Sequence, residues 1–206
     1  MERTIKAILP PKRPGTKTSV VFEDGSVKKY LPQVVAEQGL FPGMELSDRE
    51  FAALEQANAA ASAKARAVRI ISAASVSKGD LERRLTQKGE TPEDAKNAVR
   101  WLEDLKLLDD AETARQIVAR GAARGYGAER IKQMLWEKRI PKQYWNAALE
   151  TLPDMTEALE DFLRARMGED PDQKTVQSAA QAALRRGFTW SEVREALESI
   201  KSDDCG

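Results

Sequence analysis

The chain repeats itself. Aligning Leu81-Glu82-Arg83-Arg84-Leu85-Thr86-Gln87-Lys88-Gly89 with Ile131-Lys132-Gln133-Met134-Leu135-Trp136-Glu137-Lys138-Arg139 gives an offset of 50 residues, and the match continues from Val99 to Leu149 and from Leu102 to Leu152. A third copy follows at an offset of 98, which pairs Gly89 with Gly187, Thr91 with Thr189, Val99 with Leu197 and Leu102 with Ile200. Self-similarity at this period means that one small unit recurs, and that stacked copies bury the apolar faces no single copy can bury alone.

Each copy reads as three short helices. In the first, Ala67, Ile70, Ile71 and Ala74 form one apolar stripe, Ser77-Lys78-Gly79-Asp80 caps the next helix, and Thr91-Pro92-Glu93-Asp94 supplies a cap and an N1 proline for the third. Ile117, Val118, Ile131, Leu135, Trp145, Leu149 and Leu152 take matching places in the second copy. Leu159, Phe162, Leu163, Val176, Ala183, Val193, Leu197 and Ile200 take them in the third. Only 6% of the 206 residues are aromatic and Gly and Pro are sparse, so helix dominates over sheet. Short helices joined by short turns make three-helix, helix-turn-helix-like units at 64–107, 108–152 and 153–206.

A different element precedes them. Thr4-Ile5-Lys6-Ala7-Ile8-Leu9 alternates, and Ser19–Phe22 and Val27–Leu31 flank Asp24-Gly25, the dipeptide of a primed hairpin turn with positive φ at its centre. Pro32 opens a short helix over Gln33 to Gln38, stopped by Gly39, and Phe41-Pro42-Gly43 makes a turn. Residues 1–46 are therefore a small β-rich element. Ser47-Asp48-Arg49-Glu50 is a capping box that starts a helical connector at 47–63. No Pro or Gly interrupts the chain from Phe51 to Ile71, which leaves two readings, one long helix or a mobile joint around Asn58 to Ser62.

The composition removes much chemistry. The sequence has no histidine, so imidazole bases, Ser-His-Asp sets and imidazole metal sites are excluded. The single cysteine, Cys205, rules out an intrachain disulfide and a Cys-based zinc site, and reads as an exposed tail thiol. No catalytic set, cofactor loop or metal constellation is expected. Gly121 and Gly125-Tyr126-Gly127 follow no strand and precede no Lys-Ser or Lys-Thr, so they are read as helix caps, and Asp109-Asp110 as a helix N-terminus. No run approaches a membrane span and no signal-peptide core opens the chain, which points to a cytoplasmic protein away from membranes.

The charges carry more information. The net charge is zero, yet residues 64–107 and 108–152 carry +3 and +2 while 153–206 carry −5. Basic residues recur on matching helices: Arg83, Arg84 and Lys88, then Arg130, Lys132, Lys138 and Arg139, with Arg185 and Arg186 in the third copy. Arg115, Arg120 and Arg124 add a row. Interleaved Glu82, Glu129 and Glu137 suit a solvated face, whereas the recurrence suits a basic strip against a nucleoprotein. Among the tryptophans, Trp145 and Trp190 fall beside core positions and read as packing, whereas Trp136 follows core Leu135 and reads as surface, able to stack on a base or anchor an interface.

Leu107-Leu108-Asp109-Asp110, Arg124-Gly125-Tyr126-Gly127 with Ile131 and Leu135, and Arg185-Arg186-Gly187-Phe188 before Glu195-Ala196-Leu197 together resemble the signature of the bacterial RecX family. The opening β segment and Gly43-Met44-Glu45-Leu46-Ser47 resemble the amino-terminal extension of its longer members. One departure is Arg139-Ile140-Pro141, where many members carry Lys-Gly-Ile, which predicts a turn different in detail. The resemblance implies a mainly α fold of three tandem three-helix repeats in an extended curved array behind the β element. It also implies a non-enzymatic monomer that binds RecA and its filament on single-stranded DNA, inhibits ATP hydrolysis and strand exchange, and favours filament disassembly, with weak direct DNA binding in some members. The acidic third copy argues for contact through the first two, so Arg83, Arg84, Lys88, Arg115, Arg120, Arg124, Arg130, Lys132 and Lys138 are the candidate RecA-filament or DNA contacts. The rival reading is a sequence-independent DNA-binding protein acting without RecA. It predicts tight, steeply salt-dependent binding to naked DNA, and zero net charge speaks against it.

Overall fold

The computed structural model describes residues 3–203 apart from 12 and 14, so Cys205 lies outside the described residues. Four strands, β1 (Arg3–Leu9), β2 (Thr18–Phe22), β3 (Val27–Tyr30) and β4 (Glu45–Leu46), form an antiparallel sheet in the order β3-β2-β1-β4. Helix α1 (Pro32–Glu37) lies between β3 and β4 in the chain. The Asp24-Gly25 hairpin exists but is not of the primed type. Gly25 has φ +82° while Asp24 has no positive φ, and the Gly25 N–H donates to the Phe22 carbonyl at 3.0 Å. This is a tight turn followed by a left-handed glycine, the longer-looped hairpin solution.

Ile5, Val20, Phe22, Tyr30, Val34, Leu46 and Leu54 close the core of this element. Leu54 comes from α2 (Asp48–Ala73), which starts at the Ser47 capping box and runs unbroken through Asn58 to Ser62, so of the two readings the single long helix holds. Tyr30 is fully buried, and its hydroxyl donates to the Glu55 carboxylate of α2 at 2.5 Å. Burial, then the facing carboxylate, holds the Tyr30 phenol above its ordinary value of 10. Its neutral form is favoured by folding, so this contribution is complete below pH 10 and is lost as pH rises beyond it. Alkaline unfolding followed by circular dichroism is expected to show a fall in stability above pH 10 that Tyr30→Phe reduces; equal slopes for the two proteins would contradict this.

The chain divides into two compact units: everything up to Ala74 together with Leu81–Leu107, and Ser75–Asp80 together with everything from Leu108 onward. In the first, α2 packs on α4 (Pro92–Asp104), with Ala63 and Ala67 of α2 and Ala95 and Ala98 of α4 all buried. The small side chains allow close approach of the two helices. Leu81 and Leu85 of α3 (Lys78–Gln87) are fully buried, and Arg66 pairs with Glu90 at 2.7 Å. Ala74, assigned to the apolar stripe, is exposed just past the end of α2.

The second unit holds α5 (Asp110–Ala122), α6 (Ala128–Glu137), a 3-10 turn at Lys142–Tyr144 running into α7 (Trp145–Leu149), then α8 (Thr156–Met167), α9 (Gln173–Arg185) and α10 (Trp190–Asp203). Ala114, Ile117, Val118, Ile131, Leu135, Ile140 and Ala148 form one core. Leu159, Leu163, Ala179, Ala183, Phe188, Val193 and Ile200 belong to another. The fold is thus mostly helical and repetitive behind a small antiparallel β element.

The periodicity survives in the turns. Glu90 donates to the Leu85 carbonyl, Ile140 to Leu135 and Phe188 to Ala183, each closing a helix end around a left-handed residue: Gly89, Arg139 and Gly187. Arg139 therefore keeps the turn despite the missing glycine, at φ +54°. A side chain there costs about 1–2 kcal/mol, and glycine returns about 0.5–1 kcal/mol of that as lost chain freedom. Arg139→Gly is expected to stabilise the second unit by up to about 1 kcal/mol in urea titration, and a loss of stability would show that the side chain contributes more than the strain.

Candidate functional site

The second unit is organised around a seam between two backbone loops. Arg124-Gly125-Tyr126-Gly127, between α5 and α6, packs directly on Arg185-Arg186-Gly187-Phe188, between α9 and α10. The Gly127 N–H donates to the Arg186 carbonyl at 3.0 Å and the Glu129 N–H to the Gly187 carbonyl at 3.1 Å. Gly127 is the N-cap of α6 and offers no side-chain acceptor. The carbonyls of the other loop therefore satisfy donors that a helix start leaves open. A Cβ on Gly127 would lie 2.3 Å from the Gly187 oxygen, and one on Gly187 would lie 2.2 Å from the Arg130 nitrogen. Neither position has room for a side chain.

Arg186 clamps the seam. Its guanidinium lies 4.4 Å from the Phe162 ring centroid and 5.8 Å from that of Tyr126, and donates to the Gly125 carbonyl at 3.3 Å. This cation is committed to packing. Of Gly121, Gly125 and Gly127, all read as caps, Gly125 alone is a left-handed stop, at φ +67°. Gly121 instead sits inside α5, where a Cβ would meet Ile131 at 2.6 Å, so it serves helix contact. Asp109 caps α5 as expected, accepting from Ala111 and Glu112. Asp110 does more: it is buried and accepts the Lys78 N–H at 2.9 Å, at the start of α3. Ser77 accepts the Asp80 N–H and donates to the Lys138 carbonyl.

The nine basic candidates fall in both units. In the first, Arg83 and Arg84 on α3 are half-buried and Lys88, just past its end, is exposed. In the second, Arg115 and Arg120 on α5 and Arg124 beyond it are exposed. Arg115 pairs with Glu112 at 2.8 Å and, ahead of Gln116, holds that carboxyl below the usual range. Arg130 and Lys132 are two residues apart on α6 and so leave it in nearly opposite directions; they pair with Glu137 at 3.5 Å and Glu129 at 2.7 Å. Lys88, Arg120, Arg124 and Lys138 hold no salt bridge among the described residues. The candidates in the second unit therefore do not line up as one strip, and Arg120, Arg124 and Lys138 are its unpaired, exposed members.

The tryptophans divide differently from expectation. Trp145 packs as expected, half-buried with its indole N–H on the Ile140 carbonyl at 2.9 Å. Trp190 does not; it is 57% exposed. It opens α10, and helical side chains lean toward the N-terminus, where no packed turn precedes it, while Phe188 takes the core place. Trp136 is 69% exposed, in line with its reading as surface. Trp101 is half-buried beneath Lys64, whose ammonium stands 5.3 Å from the ring. Among the described residues no cluster of three or more carboxylate or thiol groups could hold a metal ion, and no helix is long and apolar enough to cross a membrane.

The first of these loops lies in a stretch that recurs in known proteins. Residues 109–149 match the model of the RecX second three-helix domain. A protein described as "Regulatory protein RecX" from Xanthomonas campestris pv. campestris (strain B100) is 35% identical over 123 residues, 58% of this chain and 76% of that one. Another of the same description, from Chromohalobacter salexigens, is 30% identical over 64% of this chain and 88% of its own. A solved structure titled "Crystal structure of regulatory protein RecX" shares the fold with a TM-score of 0.68 at 21% identity, covering 95% of this chain and 99% of that one.

Proposed function

Because the chain belongs to the RecX family of regulatory proteins, we propose that it regulates the recombinase RecA by direct contact, without chemistry of its own. It binds RecA and its filament on single-stranded DNA, slows ATP hydrolysis and strand exchange, and favours filament disassembly. The observation that carries this reading is the 35% identity to a RecX regulatory protein over 76% of that protein's length. The surface supports it. Six of the nine candidate cations lie within residues 109–149, the stretch similar to the family's second three-helix domain. Arg120, Arg124 and Lys138 are the contacts with most to offer an acidic or phosphate-bearing partner, since neighbouring carboxylates already engage Arg115, Arg130 and Lys132. Direct DNA binding is weak, because the whole chain is neutral and the third repeat is acidic. The protein acts in the cytoplasm, where its target is.

The test follows ATP hydrolysis by preformed RecA filaments on single-stranded DNA while the protein is titrated in, with naked-DNA binding measured at the same salt. Loss of hydrolysis at protein levels below those that occupy naked DNA is expected. Unchanged hydrolysis beside tight DNA binding would replace this reading with that of a nucleic-acid-binding protein.

A further inference from the structure

Two features of the second unit lie beside the seam and the proposed contacts, sharing Phe188 with the one and Lys138 with the other, and each has what the other lacks. The first is Trp136. It projects from the last turn of α6 with its indole 69% exposed, an unusual place for so large an apolar surface. Lys132 lies one turn back on the same helix, and Lys138 and Arg139 follow it, both exposed. Glu129 answers Lys132 at 2.7 Å, which leaves the collar around the indole net positive.

The second is a cavity of about 280 Å³ between α8 and α10. Leu159, Phe188 and Ala196 form its apolar floor and Glu160, Glu192 and Glu195 stand on its wall. Arg164 answers Glu160 at 3.3 Å, so Glu192 and Glu195 set a negative rim. The volume is just under the ~300 Å³ at which small-molecule pockets begin. It suits one large side chain, and the rim turns away phosphates. The occupant that fits is an apolar ring carried among cations.

The chain itself carries that occupant. We infer that Trp136 of one copy of this chain seats in the α8–α10 cavity of a second, with Lys138 and Arg139 facing Glu192 and Glu195. Size and charge both match. Trp136 is not among the cavity's walls and stays exposed, so it does not fill the cavity of its own molecule. Knob and hole are different surfaces, so the contact is head-to-tail and leaves a free knob at one end and a free hole at the other. Association therefore grows past a dimer. One anchor makes a small interface of the transient class, so half-association is expected on the order of 100 µM and the chain is monomeric at low micromolar concentration. The inference does not rest on the reading of RecA regulation.

Sedimentation equilibrium of the full chain tests it. The weight-average mass is expected to climb above 22.9 kDa with concentration and to pass the dimer value. Trp136→Ala removes the knob and keeps the hole; Glu192→Lys with Glu195→Lys reverses the rim of the hole and keeps the knob. All three positions are at least partly exposed, and circular dichroism checks the fold. Each variant alone is expected to stay monomeric, while an equimolar mixture forms a heterodimer and stops there. Wild-type protein that stays at 22.9 kDa throughout would overturn the inference, as would a mixture that remains monomeric or a Trp136→Ala protein that associates like the wild type. A Trp136 emission change with an oligonucleotide, without self-association, would also overturn it and assign the indole to base stacking.

Discussion

Gly187→Ala is expected to destabilise the second unit by about 3–5 kcal/mol, from left-handed strain and a clash that no rotamer relieves. At φ +91° the new methyl group would sit 2.2 Å from the backbone nitrogen of Arg130 and 2.8 Å from its Cα. A flexible side chain could move aside; a helix backbone cannot without opening the seam. Opening it breaks the hydrogen bonds from Gly127 and Glu129 and frees Arg186 from the Phe162 and Tyr126 rings. The melting temperature of this unit should fall by more than about 10 °C by differential scanning calorimetry, with the transition of the β-containing unit left in place. A comparable fall from Gly89→Ala would remove the special claim for the seam, because that glycine has the same φ of +91° but nothing within 4 Å of its virtual Cβ.

Reversing charge at Arg120, Arg124 and Lys138 together should raise the concentration needed to halve filament ATP hydrolysis by at least about 10-fold. Each exposed charge contributes roughly 0.2–1 kcal/mol and reversal replaces attraction with repulsion. The loss should be larger in low salt, because the contacts are solvent-exposed and screened. Arg194→Glu with Lys201→Glu, which reverses exposed cations of α10, is the matched control. If the triple reversal keeps its circular dichroism spectrum and inhibits like the wild type, the contact lies elsewhere on the chain.

Local chemistry made much of this fold legible from sequence. The Ser47 box, the Thr91 cap before Pro92 and the Asp109 cap each depend on residues within three or four positions, and each is present. The repeat was visible because equivalent turns need equivalent conformations. It was visible even at Arg139, where conformation outlived the residue type. Contacts between distant backbones leave no such trace. Arg124-Gly125-Tyr126-Gly127 and Arg185-Arg186-Gly187-Phe188 stood out as motifs, but that they touch, some 60 residues apart, follows only from how two repeats stack. Asp110 was read with Asp109 as an ordinary helix start, although its partner, the Lys78 N–H, lies 32 positions away. β4 was too short, at two residues, to show alternation. The candidate surface was legible as composition only, because pairing with Glu112, Glu129 and Glu137 decides which cations remain available.

The interleaving of the two units sets a timetable for synthesis. Ser75–Asp80 leave the ribosome amid residues of the first unit but are partnered with the second. Ser77 waits for the Lys138 carbonyl, 61 residues on. At about 5–20 residues per second that is a delay of roughly 3–12 s. During it the nascent chain can complete its β element and α2, while the start of α3 stays without its partners. A pause or rare codon between Leu108 and Lys138 would prolong that interval for Ser75–Asp80 alone, because Leu81 and Leu85 belong to the first unit, whose residues are complete at Leu107.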